Sequence, residues 1–586
     1  MSTSSRPKYW EGAPREPWAR VYATATEVLG SPITLAQRIT LWEQISAEQA
    51  LKLIAQMLND VDTASKEIST PDKRWADRVQ EPKLRARLLA TLGLRSTLLA
   101  PQLLLLAAGE SLTHSPEGPG TGDLSGIDII FQCLLGIGDE SGSVRHGAPW
   151  GGSDAGLASE VIANLHFNRS VSVGHQLAWT HNAWLKSWPG GAKTARAVGG
   201  QPRDLFLEAT GIEIEDFAAI AMSLYAQGSV KGIVRFPPDF FTWLGFSAEV
   251  TDYFLDATSI SLESLRRKIG QKSHGQRSQY AFNELRRFPL VKLTSGELLV
   301  LRTNYLLQRA LSDVTFFDVS AHLKKFDEQC GTKRDAAFRS ATNQLLEYEV
   351  GVILRRIFAK TSGRVFAESE LQLRFQKSRK KTPSVCDFAV KSGNDLLLVE
   401  VTDRAIPDPV VNGRVDAALL DKELGIVLTD RKAGQLDSTI NLWKEEAGRS
   451  LRNKVHRTNF IPLVLTSSRG LPWNQFAQSH IEERTAEYSA LSGDSCSSLA
   501  LITLRDLLIL ENAFEEGHDV FDILKMWRQR NPGLGLDQFM STIGLPLDHP
   551  KWERDTYGMV MGMIFSRLGA SDHDPQPAED RGLSSR

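Results

Sequence analysis

The hydrophobic positions of this chain change period along its length. From about residue 32 to 106 they recur at helical spacing: Leu35, Ile39, Trp42 and Ile45 form one stripe, and the pattern restarts after Ser46 with a Ser-x-x-Gln helix-start signature. The most apolar stretch, 88–109, carries Arg95 and Pro101 near its middle, and so predicts two buried helices rather than a membrane span. Loops rich in Gly, Pro and Ser follow at 114–126 and 138–156, and helical spacing returns from about Pro202. From Phe288 the pattern changes. FPLVKLTSGELLVLRTNYLLQRAL reads as strand, Ser-Gly turn, strand and helix, a bridge into a second region. There a long amphipathic helix over 334–360 precedes two apolar strands joined by a Ser-Gly-Asn-Asp turn. A strand over 460–467 follows, then a buried strand running into a helix capped by Thr503 with Asp506 three residues on.

These periods predict an α+β multidomain chain, with a helical N-terminal region (19–280) followed by an α/β domain (288–530) whose central mixed sheet is flanked by helices. Further helices are expected over 531–569. The polar, Pro- and Ser-rich ends, 1–18 and 570–586, are expected to be disordered tails.

Composition narrows the function classes. A chain of 586 residues exceeds one hydrophobic core, and its length suggests about three to four domains. Hydrophobic residues at 42% and charged residues at 24% are globular values. The net charge of -2 supplies no steering field, so a nucleic-acid partner requires a local basic patch. The four cysteines are far apart and form no CxxC pair, which argues against a zinc ribbon or a disulfide framework and fits a reducing compartment. The first residues lack the apolar core of a signal peptide, so a cytoplasmic location and no membrane association are expected.

Several motifs carry little. The Gly-rich stretch 147–156 has neither a GxxxxGK[ST] nor a GxGxxG arrangement. His175 and His181 are six apart, a spacing that fits no helix-face metal pair, and both are expected to be structural. The sequon at Asn168 has no meaning in a cytosolic chain.

The informative stretch is SVCDFAVKSGNDLLLVEVTDR, 384–404, which places Asp387 and Glu400 inside two hydrophobic strands. Carboxylates are seldom buried unless paired or bound to a metal. Period-two alternation puts Val385, Asp387 and Ala389 on one face and Leu398, Glu400 and Thr402 on one face, so an antiparallel hairpin brings both acids to the same sheet edge. Two converging carboxylates suit Mg²⁺, which would activate water and neutralise a scissile phosphate. A half-solvated hairpin with two ordinary surface acids is the competing reading.

The neighbouring sequence resembles the PD-(D/E)XK nuclease superfamily, whose core is a helix bearing an acid, a strand bearing Asp, a turn, a strand bearing Glu-x-Lys, and a helix. NQLLEYEVGVILRRIF supplies Glu347, SVCDFAV supplies Asp387 and LLLVEVTD supplies Glu400, while DRKAGQLDSTINLW supplies Lys432 and Gln435. The resemblance covers about 332–514 and implies a restriction-endonuclease-like fold and a Mg²⁺- or Mn²⁺-dependent nuclease acting on DNA, suited to bacterial defence against foreign DNA. It implies Asp387, Glu400 and the Val401 carbonyl as metal ligands, Glu347 assisting through water or a second metal, and Lys432 with Gln435 positioning the nucleophile.

One position departs from the family pattern: Thr402 stands where the motif has Lys, and a neutral hydroxyl cannot replace an ammonium. Either Lys432, ahead of Lys422 and Arg431, supplies the cation, or the fold is a degenerate one kept as a nucleic-acid-binding or scaffold subunit. From Lys333 to Lys381 twelve basic residues stand against five acidic ones. Among them Arg374, Lys377, Arg379, Lys380 and Lys381 form a candidate phosphate-contacting loop just ahead of Asp387, or a plain solvated run. The helical N-terminal region is expected to recognise the substrate or a partner protein.

Overall fold

The computed structural model describes residues 21–64, 69–92, 96–120, 122, 124–142, 166–167, 172–273, 281–312, 314–376, 382–404, 417–449, 458–467, 475–530 and 533–568. Both predicted tails, the stretch 147–156, Asn168 and the residues Lys377, Arg379, Lys380 and Lys381 lie outside the described residues.

The chain is mixed α+β. Its first region is built from helices that include Leu35–Trp42, Ala47–Thr63, Pro82–Leu92, Pro101–His114 and Gly126–Gly142. Thr34 and Ser46 cap two of them through their side chains, as the restart after Ser46 predicts. The stripe is only partly buried: Trp42 and Ile45 are in the core while Leu35, in the first turn, is exposed. Arg38 is buried in its place, because its guanidinium reaches Glu110 at 2.8 Å and Glu140 at 2.9 Å. The apolar stretch 88–109 does divide between two helices, with a short strand, Ser96–Thr97, between them that pairs with Val21–Tyr22. Among the described residues no helix is long and apolar enough to cross a membrane. The predicted loop at 138–156 begins late, since the preceding helix runs on to Gly142.

The stretch 288–311 forms strand, turn, strand and helix, but its pairing differs from the bridge that the sequence suggests. Leu290–Lys292 pairs with Ser259–Ser261, and Leu298–Val300 with Arg235–Phe236, making a four-stranded mixed sheet that belongs to the preceding region. A domain boundary between 280 and 288 would cut this sheet. Nothing in a local pattern specifies a strand's distant partner.

The larger sheet has five strands: β1 (Arg364–Ala367), β2 (Phe388–Ser392), β3 (Asp395–Thr402), β4 (Asn459–Thr466) and β5 (Ala500–Thr503). β1, β2 and β3 form an antiparallel meander, and β3, β4 and β5 run parallel. The turn between β2 and β3 is two residues long, and Gly393 takes φ +55°, a conformation that glycine adopts freely. The sheet is flanked by α1 (Arg334–Phe358), α2 (Gly434–Arg449) and α3 (Leu504–Glu515). Leu397, Val399 and Val401 of β3 pack with α1 and α3, while Leu396 and Leu398 face the Leu436 and Ile440 side of α2. A central strand covered on both faces reads as a continuous apolar run, which is why β3 does not alternate. Thr503 and Asp506 form a full capping box at the start of α3.

Candidate active site

Asp387 does not lie inside a strand. It occupies the bend just before β2, opposite Glu400 by continuation of the Phe388↔Val399 register. The Val401 backbone N–H donates to its Oδ2 at 2.7 Å, so the expected sheet pairing is replaced there by a side-chain acceptor. α2 fixes the approach to this bend with one polar face. Gln435 Nε2 donates to the Val385 carbonyl at 3.1 Å, Ser438 Oγ to the Ser384 carbonyl at 2.8 Å, and Thr439 Oγ1 accepts the Cys386 N–H at 2.9 Å. Three successive residues before Asp387 are therefore held from positions i, i+3 and i+4 of one helix. Reading the sequence missed Ser438 and Thr439. Their spacing with Gln435 is visible in GQLDST, yet only folding puts 384–386 opposite them.

Glu400 is 0% exposed on the face of β3 that α2 covers. Lys432, at the end of a π-helical segment, Gly425–Ala433, that leads into α2, extends Nζ to within 2.5 Å of Glu400 Oε2 and 3.4 Å of Asp387 Oδ2. One ammonium thus bridges both acids. Lys422 and Arg431 are exposed. Thr402, half-buried at the end of β3, accepts the Arg404 N–H at 3.4 Å. Its register partner on β4 is Thr466, whose buried hydroxyl, like that of Ser467, has no hydrogen-bond partner among the described residues.

Burial, reinforced by the Asp387 charge and opposed by Lys432, pushes the Glu400 carboxyl up to about 8. Lys432 is raised: its burial works against the charge, and the two carboxylates outweigh it. Glu347 is half-buried on α1, and its carboxyl is raised by burial first and then by Asp387 and Glu368. The structure therefore places Glu347 within electrostatic reach of Asp387, without a hydrogen bond between them. Glu400 Oε1 is buried with no hydrogen-bond partner among the described residues, and so is Gln435 Oε1. In its ionised form the Glu400 carboxylate, beside Asp387, would suit a hard cation. The Val401 side chain packs into the core on the opposite face.

Arg374 has protein partners. Its Nε donates to Glu446 at 2.8 Å and its guanidinium lies 4.2 Å from the centre of the Trp443 ring, which ties the helix Glu368–Gln376 to α2. Cys386 is buried, and burial pushes its thiol far up, so it is unreactive packing material. Comparisons of the chain with protein-family models, with curated proteins and with solved structures give no match.

Proposed function

We propose that the C-terminal α/β region is a metal-dependent nuclease of the PD-(D/E)XK type, with a restriction-endonuclease-like core, that cleaves DNA. The observation that carries this reading is the position of Lys432, whose ammonium lies 2.5 Å from Glu400 and 3.4 Å from Asp387. It supplies from α2 the cation that Thr402 cannot. The element order supports the resemblance: the acid-bearing helix α1, then Asp387 just before β2, Glu400 on β3, and the helix α2 that follows.

Asp387 and Glu400 would hold Mg²⁺ or Mn²⁺, with the Val401 carbonyl completing the set; the unpartnered Glu400 Oε1 is the observation that fits an ion there. Bound, the ion would activate water and neutralise charge on the scissile phosphate. Lys432 Nζ, at 2.5 Å from Glu400 and 3.4 Å from Asp387, would orient the nucleophile and stabilise charge developing at phosphorus. Gln435 holds Asp387 in register through the Val385 carbonyl. Glu347 assists through water. DNA as the substrate rests on the family resemblance, with Lys377, Arg379, Lys380 and Lys381 as its phosphate contact, Arg374 being held by Glu446, and the helical region as the substrate- or partner-selecting part of a defence system.

A second reading, a degenerate fold serving as a nucleic-acid-binding or scaffold subunit, draws on the same contact, because Lys432 already neutralises a fully buried Glu400. Cleavage of plasmid and linear DNA with Mg²⁺ or Mn²⁺ separates the two. Wild type is expected to cleave, and Asp387→Ala, Glu400→Ala and Lys432→Ala each to lose roughly 10²-fold or more. Equal residual cleavage by all four proteins would remove the catalytic claim.

A further inference from the structure

Far from the sheet in sequence, three side chains converge where the final helix, Lys551–Arg567, packs against the helix Val173–Thr180. His175 Nδ1 lies 3.0 Å from Glu553 Oε1, and His549 Nδ1 lies 2.6 Å from Glu553 Oε2. The two imidazole rings flank the carboxylate, nearly parallel, with centroids 6.1 Å apart. Glu553 is 1% exposed, while the His175 and His549 side chains keep 13% and 19% of their surface, so solvent reaches the group from the histidine side. The relevant partner of His175 is therefore not His181, six residues on, but two residues nearly four hundred positions away.

Glu553 is buried and its hydrogen-bond partners at this point are two imidazoles, so its carboxylate carries a desolvation cost that a positive charge would offset. A shared dication removes that cost. The ligand atoms lie within 4.8 Å of one another; tetrahedral zinc bonds would set them about 3.3 Å apart, so binding would replace the two hydrogen bonds to Glu553 by metal bonds. Two imidazole nitrogens with one carboxylate oxygen disfavour Mg²⁺ and Ca²⁺, which select oxygen, and favour zinc or a similar transition ion. His549 and Glu553 stand at i and i+4 around the start of the final helix, and so face the same side.

We propose that His175, His549 and Glu553 form a transition-metal site that takes Zn²⁺ and clamps the helix Lys551–Arg567 onto the helical region. Three protein ligands leave a fourth position for water on the exposed side. The site is separate from the Asp387 and Glu400 pair and does not depend on nuclease activity.

The test uses the full-length protein, loaded with Zn²⁺, dialysed against metal-free buffer and assayed for metal content. Wild type and the Asp387→Ala/Glu400→Ala double variant are expected to retain a single equivalent. His549→Gln, chosen because His549 is partly exposed and near the helix end, and Glu553→Gln are expected to retain less than a tenth of that, with unchanged circular dichroism. Co²⁺ substitution should give visible absorption bands in wild type that His549→Gln lacks. A wild type that dialyses free of zinc, or a folded His549→Gln that retains it, would overturn the site and leave a hydrogen-bonded triad only.

Discussion

Burying Glu400 at the end of β3 makes its ionisation depend on Asp387 and Lys432. Because the folded chain holds this proton more tightly than the unfolded chain, Glu400 favours folding most below pH 4.5, and that contribution disappears as the pH rises toward 8. Lys432→Met removes the opposing cation while keeping the apolar stem, so its cost depends on pH. At pH 9 a loss of about 3 kcal/mol is expected, the scale for breaking a buried pair. At pH 6, where Glu400 carries a proton, the loss should be much smaller; denaturant titration at the two pH values measures both. Divalent-ion binding at the pair requires the carboxylate form, so Mn²⁺ affinity should rise with pH up to about 8 and then level off.

At the scale of elements, α1 lies close to β2 because Gly351 has no side chain. A Cβ there would fall 2.8 Å from the Phe388 ring, next to Asp387. Helix propensity favours Ala over Gly by up to about 1 kcal/mol, whereas overpacking a buried ring costs about 1–3 kcal/mol. Phe388 is 4% exposed, so the ring has little room and the packing effect should win. Gly351→Ala is expected to destabilise the chain by about 1 kcal/mol net and to displace Asp387, lowering divalent-ion affinity. A stabilised variant with unchanged ion binding would show that the helix can shift without affecting the bend.

Across the whole molecule the two regions share elements. Phe338, Ala341 and Leu345, in the first half of α1, belong to the core built around Trp184, Phe206 and Phe217, whereas Leu346, Val350, Ile353 and Ile357 belong to the core of the five-stranded sheet. The final helix returns Val560 and Ile564 to the first of these cores. A fragment covering 288–530 would lose the strand partners at 235–236 and 259–261 and would expose half of α1. Such a fragment is expected to lack the near-ultraviolet circular dichroism of fixed packing expected of the full chain, since exposed apolar surface and unpaired edges favour a loose state.

Much of the local structure was legible in the residues. The helix starts at Ser46 and Thr503, the turn at Gly393, the strands of the larger sheet and the nearness of Asp387 to Glu400 follow from spacing, because caps, turns and alternation act over a few residues. Lys432 and Gln435 were nameable only through a family resemblance, and the bridging of both acids by one ammonium was not visible at all. Tertiary structure alone decided that Arg374 pairs with Glu446, that 290–292 joins the earlier sheet, that α1 serves two cores, and that His175 meets His549 and Glu553. Each of these is a meeting of residues distant in the chain. Hydrophobic periodicity tells a segment which face to bury but not against which partner.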